Sequence, residues 1–274
     1  MEVADFANDG PPSSSLGSLE GYFDQESLGA PIDSYRASTS AILAYGTTER
    51  LNESAFLGRL LVLGLVSAVE GYVRGVLSAC MEVCPIAQAT ASSQRIDLGG
   101  LLWHGKSGFS RSAFEHSSFS SREELSKAYK NFIGFKLDDT VFKSILDEYE
   151  TICHLRHGIV HSDGFLPGRN AVFLDIPRFS KPARIKISFA QLQEIGSVVN
   201  TLVFTLNREL FSEMCKRWAI DWRRRADWDI SNEMPLFGKL WAAFHSASEL
   251  PTRQGRSKIT RSKCILQIKS TYNI

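Results

Sequence analysis

The chain carries almost no net charge. Its 31 basic and 30 acidic side chains leave +1, so no global field calls for nucleic acid or a lipid surface. A cysteine framework is also missing. The five cysteines are odd in number and show no Cys-x-x-Cys spacing, which excludes a disulfide scaffold and a paired zinc knuckle. Cys80 and Cys84 lie four apart in a helical pattern, so they stack on one helix face as reduced, intracellular thiols. Nor is there a long apolar run. The longest, Leu60 to Val69, is bounded by Arg59 and Glu70, well short of the roughly 20 residues of a membrane helix. No basic stretch followed by an apolar one opens the sequence, so no signal peptide is expected. No repeat at solenoid spacing is present. A soluble cytoplasmic protein without a membrane partner is expected.

The ends lack one sign of charge each. Residues 1–35 hold seven acids and no Lys or Arg, whereas residues 251–274 hold six bases and no acid. Such blocks read as tails. The sequence divides into an acidic N-terminal tail (1–34), a helical body (35–218), and a Trp/Arg-rich segment with a basic tail (219–274).

Within the body, residues 34–48 suit a short helix and Glu53 to Val83 a long one, stopped by Pro85. Residues 86–118 read as a long irregular connection with no assigned role. Ser121-x-x-Glu124 has the form of a capping box, and Asp138 or Asp139 starts a helix running to His161 and ending before Gly164. Ala171–Asp175 and Arg184–Phe189 then look like a β-hairpin. Ser188-x-x-Gln191 caps a further long helix from Ala190 to Trp218. The fold class expected is mainly α: an antiparallel helical bundle with one inserted β-hairpin.

Two charges occupy apolar stripes. In the helix ending at His161 the stripe runs Phe142, Ile145, Tyr149, Ile152, Arg156, Ile159. In the earlier helix it runs Phe56, Leu63, Val66, Glu70, Val73, Leu77. A buried unpaired charge costs several kcal/mol. Either Glu70 and Arg156 face one another, or Arg156 meets its copy across a dimer, or both side chains reach the surface along broken stripes.

Arg156-His157-Gly158-Ile159-Val160-His161 places an arginine and a histidine five positions apart at a helix end, followed by Ser162-Asp163-Gly164. This string resembles the Arg-x4–6-His motif of HEPN-domain ribonucleases, helical proteins of bacterial toxin–antitoxin and anti-phage defence systems. The stretch Ser67–Arg74 is similar to their first long helix, and the order of elements from 140 to 218 resembles their layout. The resemblance covers residues 35–218 and is weak outside the motif. It implies a homodimer with the motifs facing one another, an RNA substrate, no cofactor and no metal. It implies that His161 transfers a proton and that Arg156 holds the phosphate. An antitoxin or a larger defence assembly is an implied partner.

The residue types suit the chemistry. RNA carries its own nucleophile in the 2′-hydroxyl, so cleavage needs a proton-transfer group near neutral pKa and a cation for the phosphate. The arginine fork matches two phosphate oxygens. One regular helix sets positions five apart at about 140°, so Arg156 and His161 converge only through a frayed helix end or a second subunit. His157 lies on the His161 side as an auxiliary, and Glu70 is a supporting group. Two other readings stand beside this one. His154, His157 and His161 share a helix face with zinc-ligand spacing, although no Glu or cysteine pair completes a site. In the second the histidines are a polar flank and Arg156 a buried bundle charge, as suits a non-catalytic HEPN-like scaffold that binds a partner protein or nucleotide.

The segment Lys216-Arg217-Trp218 to Trp228 interleaves bases with tryptophans. Trp222, Arg223, Arg224 and Arg225 are candidate RNA contacts by stacking and phosphate pairing. Tryptophans packed inward beneath solvent-facing arginines give the same pattern. The alternation in residues 262–270 permits a short strand.

Overall fold

The computed structural model describes residues 14–25, 29–105, 108–247 and 260–274. Residues 1–13 and 26–28 of the acidic N-terminal block and residues 251–259 of the basic C-terminal block lie outside them. Residues 14–25 hold one exposed 3-10 turn, Leu19–Tyr22. The rest is helical, with no strand among the described residues. In chain order the helices are α1 (Pro31–Tyr45), α2 (Thr48–Glu53), α3 (Ala55–Val83), α4 (Pro85–Ala91), α5 (Leu98–His104), α6 (Phe109–Ser112), α7 (Arg122–Ala128), α8 (Asp139–His161), α9 (Gly168–Phe173), α10 (Phe189–Lys216), α11 (Glu233–Phe244) and α12 (Arg261–Tyr272).

Local chemistry sets the boundaries. Pro31 opens α1, where its missing N–H costs nothing. Ser54 accepts from Leu57 N and starts α3, and Pro85 ends that helix and opens α4. Asp138 accepts from Thr140 N at the head of α8. Ser188 and Gln191 form the full reciprocal capping box of α10.

The core is built around α3, which touches α1, α8, α10 and α11. Val62, Leu65, Val69, Val73, Val76 and Leu77 are shut away from solvent on more than one side. Arg59 and Glu70, which bound the Leu60–Val69 run, both lie inside α3. Arg59 donates to Ile185 O at 3.3 Å and Glu70 pairs with Arg74 at 3.3 Å. By length and composition α3 would cross a membrane, the one such helix among the described residues, and here it is the central helix of the bundle.

Three expectations are corrected. The 171–189 hairpin does not form. Residues 168–173 make α9 instead, pinned by buried Asn170 donating to His154 O at 2.9 Å. Val172 and Phe173 point outward at 82% and 59% exposure, so this run is no alternating strand. The chain does pair briefly, but through 164–166 and 183–185: Leu166 N donates to Ala183 O at 2.9 Å and Ile185 N to Gly164 O at 2.7 Å. Residues 262–270 belong to helix α12, whose buried Ile265 and Ile268 are three apart, a helical spacing that also reads as alternation in a short window. The 86–118 connection carries α4, α5 and α6, each too short for apolar periodicity to reveal.

Candidate functional site

The last turns of α8 carry the motif. The buried face of this helix carries Phe142, Leu146, Tyr149, Ile152 and Cys153, and Arg156 continues it at the next helical step, half-buried. His157 and His161 stand on the exposed face with ring centroids 4.7 Å apart and planes tilted by 47°. The inward Arg156 and the outward histidines leave the helix in different directions, as their spacing requires.

A sharp reversal follows. Ser162 N and Gly164 N both donate to Gly158 O at 3.1 Å, Asp163 takes φ +49 and Gly164 takes φ +81. Gly158, inside the motif, lets the returning chain cross the helix: a β-carbon there would stand 2.8 Å from Phe165 O and 3.0 Å from Pro167 Cδ. Beneath the turn lies Arg59, whose Cδ would be 2.7 Å from a β-carbon on Gly164. Arg184 seals the outside by pairing with Asp163 and lying 5.0 Å over the Phe165 ring.

Glu70 and Arg156 share a neighbourhood without forming an ion pair. Both charges act on the Tyr149 hydroxyl and the Cys153 thiol, which burial pushes well above their ordinary pKa values. Glu70 takes Arg74 as its partner, and Arg74 donates onward to Ser117 O at 2.8 Å and Phe114 O at 3.4 Å. Arg156 forms no ion pair or hydrogen bond among the described residues. The expected direct pair is therefore replaced by an i, i+4 pair on α3, the shorter route to a cation.

The His157 pKa is held below its ordinary value, first by desolvation and then by His161, Arg156, His154 and Arg169. Four cationic or protonatable neighbours thus converge on one imidazole. Such a cluster repels added protons and favours an anion. His154 turns elsewhere: its ring lies 4.0 Å from Phe173 and its Nε2 is 3.7 Å from Glu150. No three His, Cys, Asp or Glu side chains among the described residues are placed to share a metal ion.

Arg59 and Arg169 escape the sequence motif. Arg59 is 7% exposed inside the long apolar helix α3, and a guanidinium in that setting was the available signal. Arg169 had none, lying two residues before the expected Ala171–Asp175 strand and within α9.

The Trp/Arg segment is packed. Trp218 and Trp222 are fully buried, so Trp222 offers no face to a base. Arg223 pairs with Glu233 and sits 5.1 Å over Trp218 and 5.9 Å over Trp228. Arg225 pairs with Asp227 at 2.8 Å. Arg224 is exposed and adds no hydrogen bond to this arrangement. Helix α11 then packs against α1, α3 and α10, and α12 against α10.

Comparison with known proteins returns no match: no family model, no curated protein and no solved structure resembles the chain closely enough to place it.

Proposed function

We propose that the protein is a metal-independent endoribonuclease of HEPN type, acting in the cytoplasm as a homodimer in toxin–antitoxin or anti-phage defence. The observation that carries this is the His157–His161 ring pair at the end of α8, with Arg156 one residue before it and Arg169 within electrostatic range. Phosphate attracted to this cluster relieves the repulsion among its cations. The 2′-hydroxyl attacks the adjacent phosphorus, and the bond to the 5′-oxygen breaks. His161 moves the proton, Arg156 holds the phosphate oxygens, and His157 assists. Products carry 2′,3′-cyclic phosphate and 5′-hydroxyl ends.

Arg156 and the histidines diverge within one chain, so the reading assigns a second subunit to complete the cleft. Exposed Val160, the residue before His161, supports such a contact. Glu70 acts as a positioning residue through the Tyr149–Cys153 region that it shares with Arg156. The test is RNA cleavage by purified protein with EDTA present: cutting that requires added metal, or that survives loss of both Arg156 and His161, overturns the mechanism.

The same divergence favours one second reading, a scaffold that binds an anionic partner at this cluster and cuts nothing. Expression alone separates the two. A ribonuclease slows host growth and a scaffold does not.

A further inference from the structure

Two cysteines meet where the C-terminal helix docks on the bundle. Cys215 stands near the end of α10 and is 5% exposed. Cys264 stands in the first turn of α12 and is half-buried. Helix α12 lies against α10 and the Arg217–Asp221 turn that continues it, with Ile265 and Ile268 buried in the contact. That packing brings the two thiols within hydrogen-bonding reach of one another. The shared hydrogen bond, and then burial, hold the Cys215 proton well above the ordinary thiol range, and the same bond lowers Cys264.

The two sulfurs therefore differ in kind. Cys264 sits at the positive end of a helix whose first turn holds Arg261 and Lys263 and no acid, surroundings that favour a thiolate. It is also the one a dissolved oxidant can reach, since Cys80 and Cys84 are 0% exposed and Cys153 and Cys215 are 5% exposed. Cys215, held behind it on α10, is placed to resolve whatever forms on Cys264. An accessible low-pKa thiol beside a second thiol is the arrangement of a reversible oxidation site, and in a reducing compartment such a disulfide is transient.

We propose that Cys264 and Cys215 form a peroxide-responsive disulfide that locks α12 onto α10. The Cys264 thiolate attacks one oxygen of hydrogen peroxide, the O–O bond breaks, and the departing hydroxide takes up a proton as water. Cys264 is then a sulfenic acid. The Cys215 sulfur attacks the Cys264 sulfur, the S–O bond breaks, and the Cys215 proton leaves with the hydroxyl as a second water. Two thiols are oxidised to one disulfide and one peroxide is reduced to two waters. The switch is independent of the α8 cluster. The whole protein, fully reduced, is treated with hydrogen peroxide, its remaining thiols are blocked with iodoacetamide, and tryptic peptides are mapped without reductant. The expected product joins the peptide 209–216 to the peptide 264–269, and dithiothreitol separates them. Before oxidation, iodoacetamide labels Cys264 at least about tenfold faster than any other cysteine. The linked protein melts roughly 5–10 °C above the reduced one. Cys215→Ser gives no linked peptide and leaves Cys264 as a sulfenic acid that dimedone traps, while Cys264→Ser leaves Cys215 unreacted. The proposal is overturned if oxidised wild type yields no such peptide, if Cys264 is joined instead to a second copy of the chain, or if the linked protein melts no higher. Should Cys215→Ser fail to fold, the peptide map of the wild type decides alone.

Discussion

His157 and His161 hold their rings 4.7 Å apart on the exposed face of α8, while Arg156, their neighbour in sequence, turns toward Cys153 and Tyr149. The motif is thus split between a solvent face and a half-buried one. On the proposed mechanism the two parts fail differently. His161→Ala lowers RNA cleavage by about 10²–10⁴-fold, the usual loss for a proton-transfer group, and leaves the melting temperature near wild type because the side chain is exposed. Arg156→Ala lowers cleavage comparably, and Arg156→Lys does not restore it, since a single ammonium cannot grip two phosphate oxygens in the same plane. Cleavage assays alongside thermal unfolding separate the chemical loss from any structural one.

The histidine pair also sets a pH dependence. Desolvation and then His161 hold the His157 pKa below its ordinary value, so the folded protein releases that proton at lower pH than the unfolded chain does. The folded state gains stability as pH rises from the folded value toward the unfolded value of about 6.5, and loses it as pH falls through the folded value. At an exposed site the stability change is small, and the imidazole resonances in a proton NMR titration report it directly. The His157 midpoint lies below the ordinary value, rises in His161→Ala, and rises again when phosphate or an RNA fragment occupies the cluster. A midpoint unmoved by both changes removes the electrostatic case for an anion site.

Long, capped helices were legible in the sequence because periodicity and caps agree over many turns: α8 starts at Asp138 and ends at His161, and α10 opens on the Ser188–Gln191 box. Short elements were not. Ala171 to Leu174 has β-branched and aromatic character, but the buried Asn170 amide bound to His154 O decides for a helical turn, a long-range contact with no local signature. The expected stripe of α8 is inside: Phe142, Tyr149 and Ile152 are buried and Ile145 and Ile159 pack against the core, with Leu146 and Cys153 widening the buried face. Arg156 follows Ile152 and Cys153 on this face, so its half-buried place was readable. Arg74 sits four residues from Glu70 in plain view, and an intrahelical partner was the simpler solution.

Glycines on α3 and α8 respond oppositely to alanine. Gly158→Ala drives a methyl against Phe165 O and Pro167 Cδ at 2.8 and 3.0 Å, where the returning chain cannot withdraw without losing its pairing with residues 183–185. A loss of about 1–3 kcal/mol follows. Gly71→Ala meets nothing within 4 Å in the middle of α3 and gains about 0.5–1 kcal/mol by restricting the unfolded chain. Chemical denaturation of the two variants gives opposite shifts in midpoint at similar m-values.

Trp222 and Arg224 decide the role of the segment after α10. Trp222 is fully buried, packed with the core that also holds Trp218 and Phe237, so Trp222→Ala opens a cavity costing about 3–5 kcal/mol. An RNA platform would instead show a loss of affinity with little loss of stability, because a stacking residue has to be free to meet a base. Arg223→Ala separates Glu233, 6% exposed, from a cation, with Lys269 at 3.4 Å the one other cation paired with it among the described residues, so it too is destabilising. Arg224→Ala is the control: exposed and without an ion pair among the described residues, it leaves unfolding unchanged, and any fall in RNA affinity it causes is electrostatic and shrinks as salt rises. Measured together by thermal unfolding and by RNA binding at two salt concentrations, Trp222→Ala and Arg223→Ala move the first readout and Arg224→Ala at most the second. If Trp222→Ala keeps its stability and loses RNA affinity, the indole reaches solvent and the packed arrangement of this segment is wrong.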